Sequence, residues 1–270
     1  MTYLYFHFVF VIPVIIAVIA LTRMEKKVHV PKRISGIVFL ALIALIYTTP
    51  WDNYLVASGI WSYGEGRVME SWVIGHVPFE EYLFFILQPI MTGSILYWYL
   101  VSRPDTRNRL WEPLKRGPAA WIGGGFFLSL TVIGALALFS GETRWTYLGL
   151  ILVWAGPVLA FQWLYGGRTL LRLRGAWLPA VVVATLYLCC VDRIAIEWRI
   201  WEIHLATSSG LFLFGLPMEE ALFFLVTNLM VVQGLILYYQ FFAERAGRRQ
   251  LASRLVGHDS KPFLSAPMIS

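Results

Sequence analysis

The sequence predicts an all-α fold: a polytopic membrane protein with seven transmembrane helices, built as two parallel three-helix repeats joined by a linker helix. Three observations predict it. Of 270 residues, 58% are hydrophobic and only 14% charged, where soluble domains carry about 25% charged residues. The apolar residues fall into seven runs, each near the roughly 20 residues that a helix rising about 1.5 Å per residue needs to cross a bilayer core. One acidic motif occurs twice, as PFEEYLFF from Pro78 to Phe85 and as PMEEALFF from Pro217 to Phe224.

The runs cover residues 3–22, 34–51, 78–101, 119–139, 145–165, 177–196 and 217–242. The first lacks a basic start and a small-residue cleavage site, and Arg23, Lys26 and Lys27 follow it, so it reads as a retained span. The fourth holds the glycines Gly123, Gly124 and Gly125. The sixth is the weakest, because Asp192 and Arg193 follow Val191 at once. Its adjacent cysteines, Cys189 and Cys190, are badly placed to bridge each other and too few for a metal cage, which leaves packing.

The duplicated motif has an offset of 139 residues. Asp52 and Trp61 recur as Asp192 and Trp201 at an offset of 140, and Tyr3, Leu4, Pro13 and Val14 recur as Tyr147, Leu148, Pro157 and Val158 at 144. The repeating unit is three helices, and the fourth run lies between the copies. An odd-numbered unit separated by one extra span keeps both copies in the same orientation, related by an axis along the membrane normal. The division is therefore residues 1–101, a first three-helix unit; 102–144, a loop and linker helix; 145–242, a second three-helix unit; and 243–270, a basic tail.

Charge orients the chain. Alternate connections carry 18 Lys and Arg residues against 4 on the other side, while 11 of the 16 acids lie on the basic-poor side. Positive residues mark the cytoplasmic face, so the amino terminus is expected outside and the carboxyl terminus in the cytoplasm, in the cell membrane. The net charge of +6 is thereby assigned to topology and anionic lipid, without a nucleic-acid partner.

Pro78 and Pro217 suit the first helical position, which places Glu80 and Glu219 near the positive end of a helix dipole and favours their ionised form. Glu81 and Glu220 lie one residue deeper, on the polar stripes Glu81, Phe85, Gln88 and Glu220, Phe224, Thr227. If those stripes face the bundle, each motif sets a retained proton beside a negative charge. A proline followed by two acids also serves simply to start a helix. Two copies at bilayer depth favour function, because carboxyl groups inside membranes are expensive. Asp52 and Asp192 stand equally as interface anchors or site residues, and His7, His76 and His204 read as packing or interfacial hydrogen bonding. The aromatic residues, foremost Phe84, Phe85, Phe223 and Phe224, can line a pocket for a long apolar ligand and stabilise a cation within it.

Absences narrow the chemistry. No G-x-G-x-x-G follows a strand, so no flavin or nicotinamide site is visible. All five lysines, Lys26, Lys27, Lys32, Lys115 and Lys261, lie in loops or tail, which excludes an opsin Schiff base. No D-x-x-x-D cluster is present to hold magnesium and a diphosphate. Acid–base chemistry on an apolar substrate remains, without cofactor or metal. So does a non-enzymatic transporter or ligand-binding subunit.

PWDNY (Pro50 to Tyr54), GIWSYGEGRV (Gly59 to Val68), PFEEYLFF, and GLPMEEALFF (Gly215 to Phe224) with TNLMVVQGL (Thr227 to Leu235) closely resemble the membrane-embedded lycopene cyclases of bacteria, archaea and fungi. In some bacteria the two halves are separate subunits, and this chain resembles the fused form up to about residue 242. The resemblance implies a lycopene beta-cyclase, an intramolecular lyase that closes the linear ends of lycopene or a related carotenoid into ionone rings by non-redox catalysis. It maps the catalytic acids onto Glu80, Glu81, Glu219 and Glu220. With such a substrate, the reading of the stripes and aromatic residues makes Asp52, Asp192, Phe84, Phe85, Gln88, Phe223, Phe224 and Thr227 the expected substrate-binding residues. Membrane lipid and other enzymes of carotenoid biosynthesis are the implied partners. Related families hydrate carotenoid ends or cyclise fifty-carbon carotenoids, and the same motifs suit those reactions.

Overall fold

In a computed structural model, which describes residues 1–24, 33–103 and 114–258, seven helices are long and apolar enough to cross a membrane. They are α1 (Tyr3–Met24), α2 (Arg33–Ala57), α3 (Phe79–Ser102), α4 (Gly117–Phe139), α5 (Thr146–Arg172), α6 (Arg174–Glu197) and α7 (Met218–His258). Lys26, Lys27, Lys32, Lys261 and the end of the basic tail, residues 259–270, lie outside the described residues.

Most departures from the expected spans are extensions with local causes. Helix α2 runs past residue 51 through Pro50, whose missing N–H would interrupt the ladder. The hydroxyl of Thr49 donates to the Leu45 carbonyl at 2.6 Å and the Asn53 amide donates to the Thr49 carbonyl at 2.9 Å, so side chains carry hydrogen bonds around the proline. Helix α5 continues past residue 165 across a kink at Gly166, where the backbone leaves helical values. Helix α7 runs 16 residues beyond Phe242, into what the sequence presented as tail, because Ala, Arg, Leu and Gln there favour helix and no proline stops it.

Short strands connect the helices at one end of the bundle, the strand end. Strand β1 (Trp61–Tyr63) follows α2, and the hairpin β2 (Val73–Ile74) and β3 (Val77–Pro78) leads into α3. Strand β4 (Trp201–Ile203) follows α6, and the hairpin β5 (Phe212–Leu213) and β6 (Leu216–Pro217) leads into α7. This corrects the expected place of the prolines. Pro78 is not the first helical residue but the last of a strand and the N-cap of α3, with an extended backbone (φ −72°, ψ 158°), and Pro217 ends β6 in the same way. The hairpins impose that conformation. Their turns have positive φ at Gly75, and at Phe214 and Gly215, as tight hairpin turns demand. At Gly75 the Asn53 carbonyl oxygen fills the space a Cβ would need, so glycine is required there twice over. The amides of Phe79 and Met218 then donate to the carbonyls of Trp72 and Leu211, at 2.8 and 2.9 Å, and fasten each hairpin to the helix it opens.

Strands β1 and β4 pair antiparallel, with Ser62 opposite Glu202 at the centre of the register. The pairing is flanked by Gly64 N–H to the Ile200 carbonyl at 3.1 Å and His204 N–H to the Ile60 carbonyl at 3.0 Å. It ties the loop after α2 to the loop after α6 and closes the strand end of the core. Helix α4 stands apart from this core and packs along α5 through small residues, as membrane helices do. A Cβ placed on Gly134 or on Gly149 would lie 2.9 Å from the backbone oxygen of the other.

Gly149→Val is therefore expected to force α4 from α5 and to destabilise the protein by about 1–3 kcal/mol, the usual cost of overpacking. A thermal midpoint in detergent equal to that of the wild type would refute this.

Candidate functional site

The acids of both motifs converge at the strand end, each fixed by the element that leads into its helix. With Pro78 and Pro217 as caps, Glu80 and Glu219 occupy the second helical position and Glu81 and Glu220 the third. All four are buried. Glu80 and Glu219 turn outward to the loops: Glu80 Oε1 accepts the Met69 amide at 2.9 Å and Glu219 Oε1 accepts the Ser209 amide at 2.6 Å. Their second oxygens are buried without a hydrogen-bond partner.

Glu81 and Glu220 turn inward. Glu81 Oε2 accepts the Tyr63 hydroxyl at 3.2 Å, and Glu220 Oε1 accepts the Tyr147 hydroxyl at 2.7 Å. Burial, together with the Glu81 carboxyl beside it, pushes the Tyr63 phenol well above its ordinary range, so it remains a donor across the accessible pH range. Asp192 accepts the Trp201 indole N–H at 2.9 Å on one oxygen, and its other oxygen has no partner. Asp52 is fully buried with neither oxygen hydrogen-bonded, and it interacts electrostatically with both Glu81 and Glu220. His7 lies in a π-helical turn, His7–Val11, and donates from Nε2 to the Glu80 backbone carbonyl at 2.9 Å, holding the first turn of α3. Of the other two histidines singled out in the sequence, His76 is exposed in the turn of the first hairpin, where its amide donates to Asn53 Oδ1. His204 meets Ser62 Oγ at 3.2 Å.

Glu81, Glu220 and Asp192 line one small cavity, of about 20 Å³, walled by aromatic rings that include Tyr3, Trp61, Phe84, Trp201, Phe223 and Phe224. That volume admits about one water. Next to it lies an apolar chamber of about 610 Å³ between α2, α3, α5 and α7. The chamber follows α7 from Phe223 to Phe242, about 28 Å at the helical rise. Phe84 and Phe223 line both spaces and form the partition between them.

The structure thus places the expected site residues in two groups. Glu81, Glu220, Asp192 and Phe224 meet at the small cavity, whereas Asp52 is buried but lines neither space. Phe85, Gln88 and Thr227 line the chamber instead. Among the described residues, no three His, Cys, Asp or Glu side chains converge as metal ligands. Sequence reasoning missed Tyr63, Tyr147, Trp61 and Trp201 as site residues, although Tyr3 with Tyr147 and Trp61 with Trp201 were visible as repeated positions. It also missed Asn228, whose Oδ1 accepts Gln88 Nε2 and Thr92 Oγ1, each at 2.7 Å, beneath the chamber wall. The signal for Asn228 was an amide buried in the middle of an apolar run.

Comparison with known proteins gives the family. The chain is 41% identical over 206 residues to a lycopene beta-cyclase of Halobacterium salinarum, covering 76% of this chain and 83% of that protein. It is 38% identical over 229 residues to a bifunctional lycopene cyclase/phytoene synthase of Arthroderma gypseum, covering 80% of this chain and 38% of the fungal protein. With the corresponding bifunctional protein of Neurospora crassa the figures are 32% over 251 residues, 89% and 40%. The chain therefore spans about two-fifths of these two fungal proteins. No solved structure matches it. The sequence pattern of the lycopene cyclase family matches residues 1–99 and again residues 143–241, each stretch ending in one of the helices that the paired acids open, and the chain belongs to that family.

Proposed function

We propose that this chain is a lycopene beta-cyclase in which two parallel three-helix repeats, α1 to α3 and α5 to α7, each contribute one acid motif to a single reaction centre. The observation that carries the reading is the convergence of Glu81 and Glu220 on one small, aromatic cavity beside an apolar chamber as deep as a membrane is thick. A linear carotenoid lies along α7 in the chamber, against Phe85, Gln88 and Thr227. Its end reaches the acids when Phe84 and Phe223 swing aside.

Glu81 and Glu220 are the acid candidates. Among the described residues no Lys or Arg lines the cavity, and carboxyl groups crowded together without countercharge share protons as a coupled group. One of them gives its proton to the terminal double bond of the substrate. A C–H bond forms and a tertiary cation is left, which the neighbouring double bond attacks to form the ring C–C bond. The ring then loses a proton to a carboxylate of the same cluster, so one C–H bond is made and one broken, and the product is an isomer. Aromatic faces stabilise the cation. Glu80 and Glu219 stabilise the loops that roof the cavity, and Asp52 and Asp192 complete the carboxyl cluster. The small volume of the cavity favours loss of a proton over capture of water, and so favours cyclisation over hydration.

The distribution of Lys and Arg places the strand end outside the cell membrane, with α7 continuing into the cytoplasm. A reporter fused after Phe242 is expected to be active only in the cytoplasm, and one inserted near Gly64 only outside. The reverse pattern would move the acids to the cytoplasmic face and refute this placement.

Glu81→Gln and Glu220→Gln keep size and polarity but remove the transferable proton. Each should lower cyclisation at least about a hundredfold, within the range for general acid catalysis. Tyr147→Phe removes the hydroxyl that orients Glu220. A hydrogen bond between neutral groups is worth about 0.5–1.5 kcal/mol, so this variant should lose about two- to tenfold in rate while remaining inserted. Full activity in both Gln variants would leave the motif as a helix start.

The reaction itself is tested by giving the purified protein lycopene in heavy water. The product should gain solvent deuterium at the carbon that receives the proton, contain no added oxygen, and form without added flavin or nicotinamide. A product heavier by the mass of water would establish hydration instead.

A further inference from the structure

The motif acids of both halves open into one cavity, so one place exists at which a carotenoid end meets Glu81 and Glu220. The proposed substrate has two identical ends. Closure of both takes two visits, and on the second the new ring occupies the far end of the chamber.

That far end is an aromatic wall. Tyr238 stands between Phe39 of α2 and Phe242 of α7, with ring centroids 5.4 and 4.7 Å away, and its hydroxyl donates to Ser35 Oγ at 3.2 Å. All three rings line the chamber. The wall has little room to retreat toward α2: a Cβ on Gly36 would lie 2.9 Å from the Tyr239 ring and 3.1 Å from the Tyr238 ring. The width available at this end is therefore set by Phe39, Tyr238 and Phe242. A slender linear end and a ring bearing two geminal methyl groups differ in the width they need.

We infer that Phe39, Tyr238 and Phe242 form a recognition site for the end of the carotenoid that is not reacting, and that this site sets the balance between one-ringed and two-ringed products. The inference rests on the reading of the chamber as the substrate site. It adds that the selecting residues lie a membrane's thickness from the chemistry.

The test uses the full chain in liposomes, given either lycopene or its one-ringed product, with rates of ring formation followed by chromatography. Phe39 is 48% exposed, so its replacement spares the core. Phe39→Ala should raise the rate on the one-ringed substrate relative to the linear one by about tenfold, the scale on which apolar pockets discriminate small groups. Phe39→Trp should lower the same ratio, and Tyr238→Phe, which frees the ring from Ser35, should shift it as well. Parallel changes on both substrates, or an unchanged ratio in all three variants, would overturn the inference and place the far end in lipid. Absence of any cyclic product from the wild type would instead overturn the reading of the site itself.

Discussion

Six carboxyl groups, those of Asp52, Glu80, Glu81, Asp192, Glu219 and Glu220, lie buried at one end of an apolar bundle, and much of the structure serves to hold them there. Removing an ionised carboxylate from water costs several kcal/mol even after relaxation. The chain meets this cost with neutral donors. Loop amides of Met69 and Ser209 each donate to one oxygen of an outer acid, and phenols and an indole each donate to one oxygen of three inner ones. Each donor must be delivered from a loop or a neighbouring helix, so the loops cannot be loose. The hairpins before α3 and α7 and the β1–β4 pairing give them fixed paths.

The same economy is visible in the correspondences between the two halves. Helices α2 and α6 end alike, with Ile60 N–H to the Leu55 carbonyl at 3.0 Å and Ile200 N–H to the Ala195 carbonyl at 2.9 Å. Tyr47 donates to the Trp154 carbonyl and Tyr187 to the Phe10 carbonyl, at 2.8 and 2.7 Å, so each second helix is tied to the first helix of the other half. These ties cross between the proposed repeats, which explains how two units form one site. Two of the departures from the correspondence touch the motif acids. Tyr63, which donates to Glu81, has Ile203 as its counterpart, and His7, which holds the first turn of α3, has Ile151. A pair of equivalent carboxyls is thus given unequal surroundings, as an acid and a base need.

The spans were legible because hydrophobicity over some 20 residues is a strong signal, and the acids because carboxyl groups at bilayer depth are conspicuous against it. The hairpins were not. Runs such as Val73–Ile74 and Leu216–Pro217 are two residues long, too short for periodicity to register, and the proline that looked like a first helical residue suits an extended N-cap equally well. Tyr147 and Tyr63 were hidden for another reason: a phenol in an apolar run resembles an interfacial anchor until its partner, 73 or 18 residues away in sequence, is placed beside it. Helices α2 and α5 outrun the apolar stretches of residues 34–51 and 145–165, because the helix continues into polar residues that a hydrophobic run does not register.

The partition formed by Phe84 and Phe223 follows from the same physics as the buried acids. A carboxyl cluster open to the large chamber would share its walls with lipid chains and whatever water accompanies them, and protons held between the acids would exchange freely. In the proposed reaction, restricting the cluster to the volume of about one water would preserve the proton until a substrate end displaces the rings. Phe223 lies nearly parallel to Trp51, at 5.6 Å and 9°, and edge-on to Trp61 at 6.0 Å, while Phe84 stacks on His7 at 6.1 Å. The partition is thereby packed against residues adjoining Asp52 and Glu80. In the proposed reaction, displacing it to admit a carotenoid would disturb the surroundings of the acids as the proton is transferred, so substrate entry and acid strength would be coupled through the same two phenyl rings.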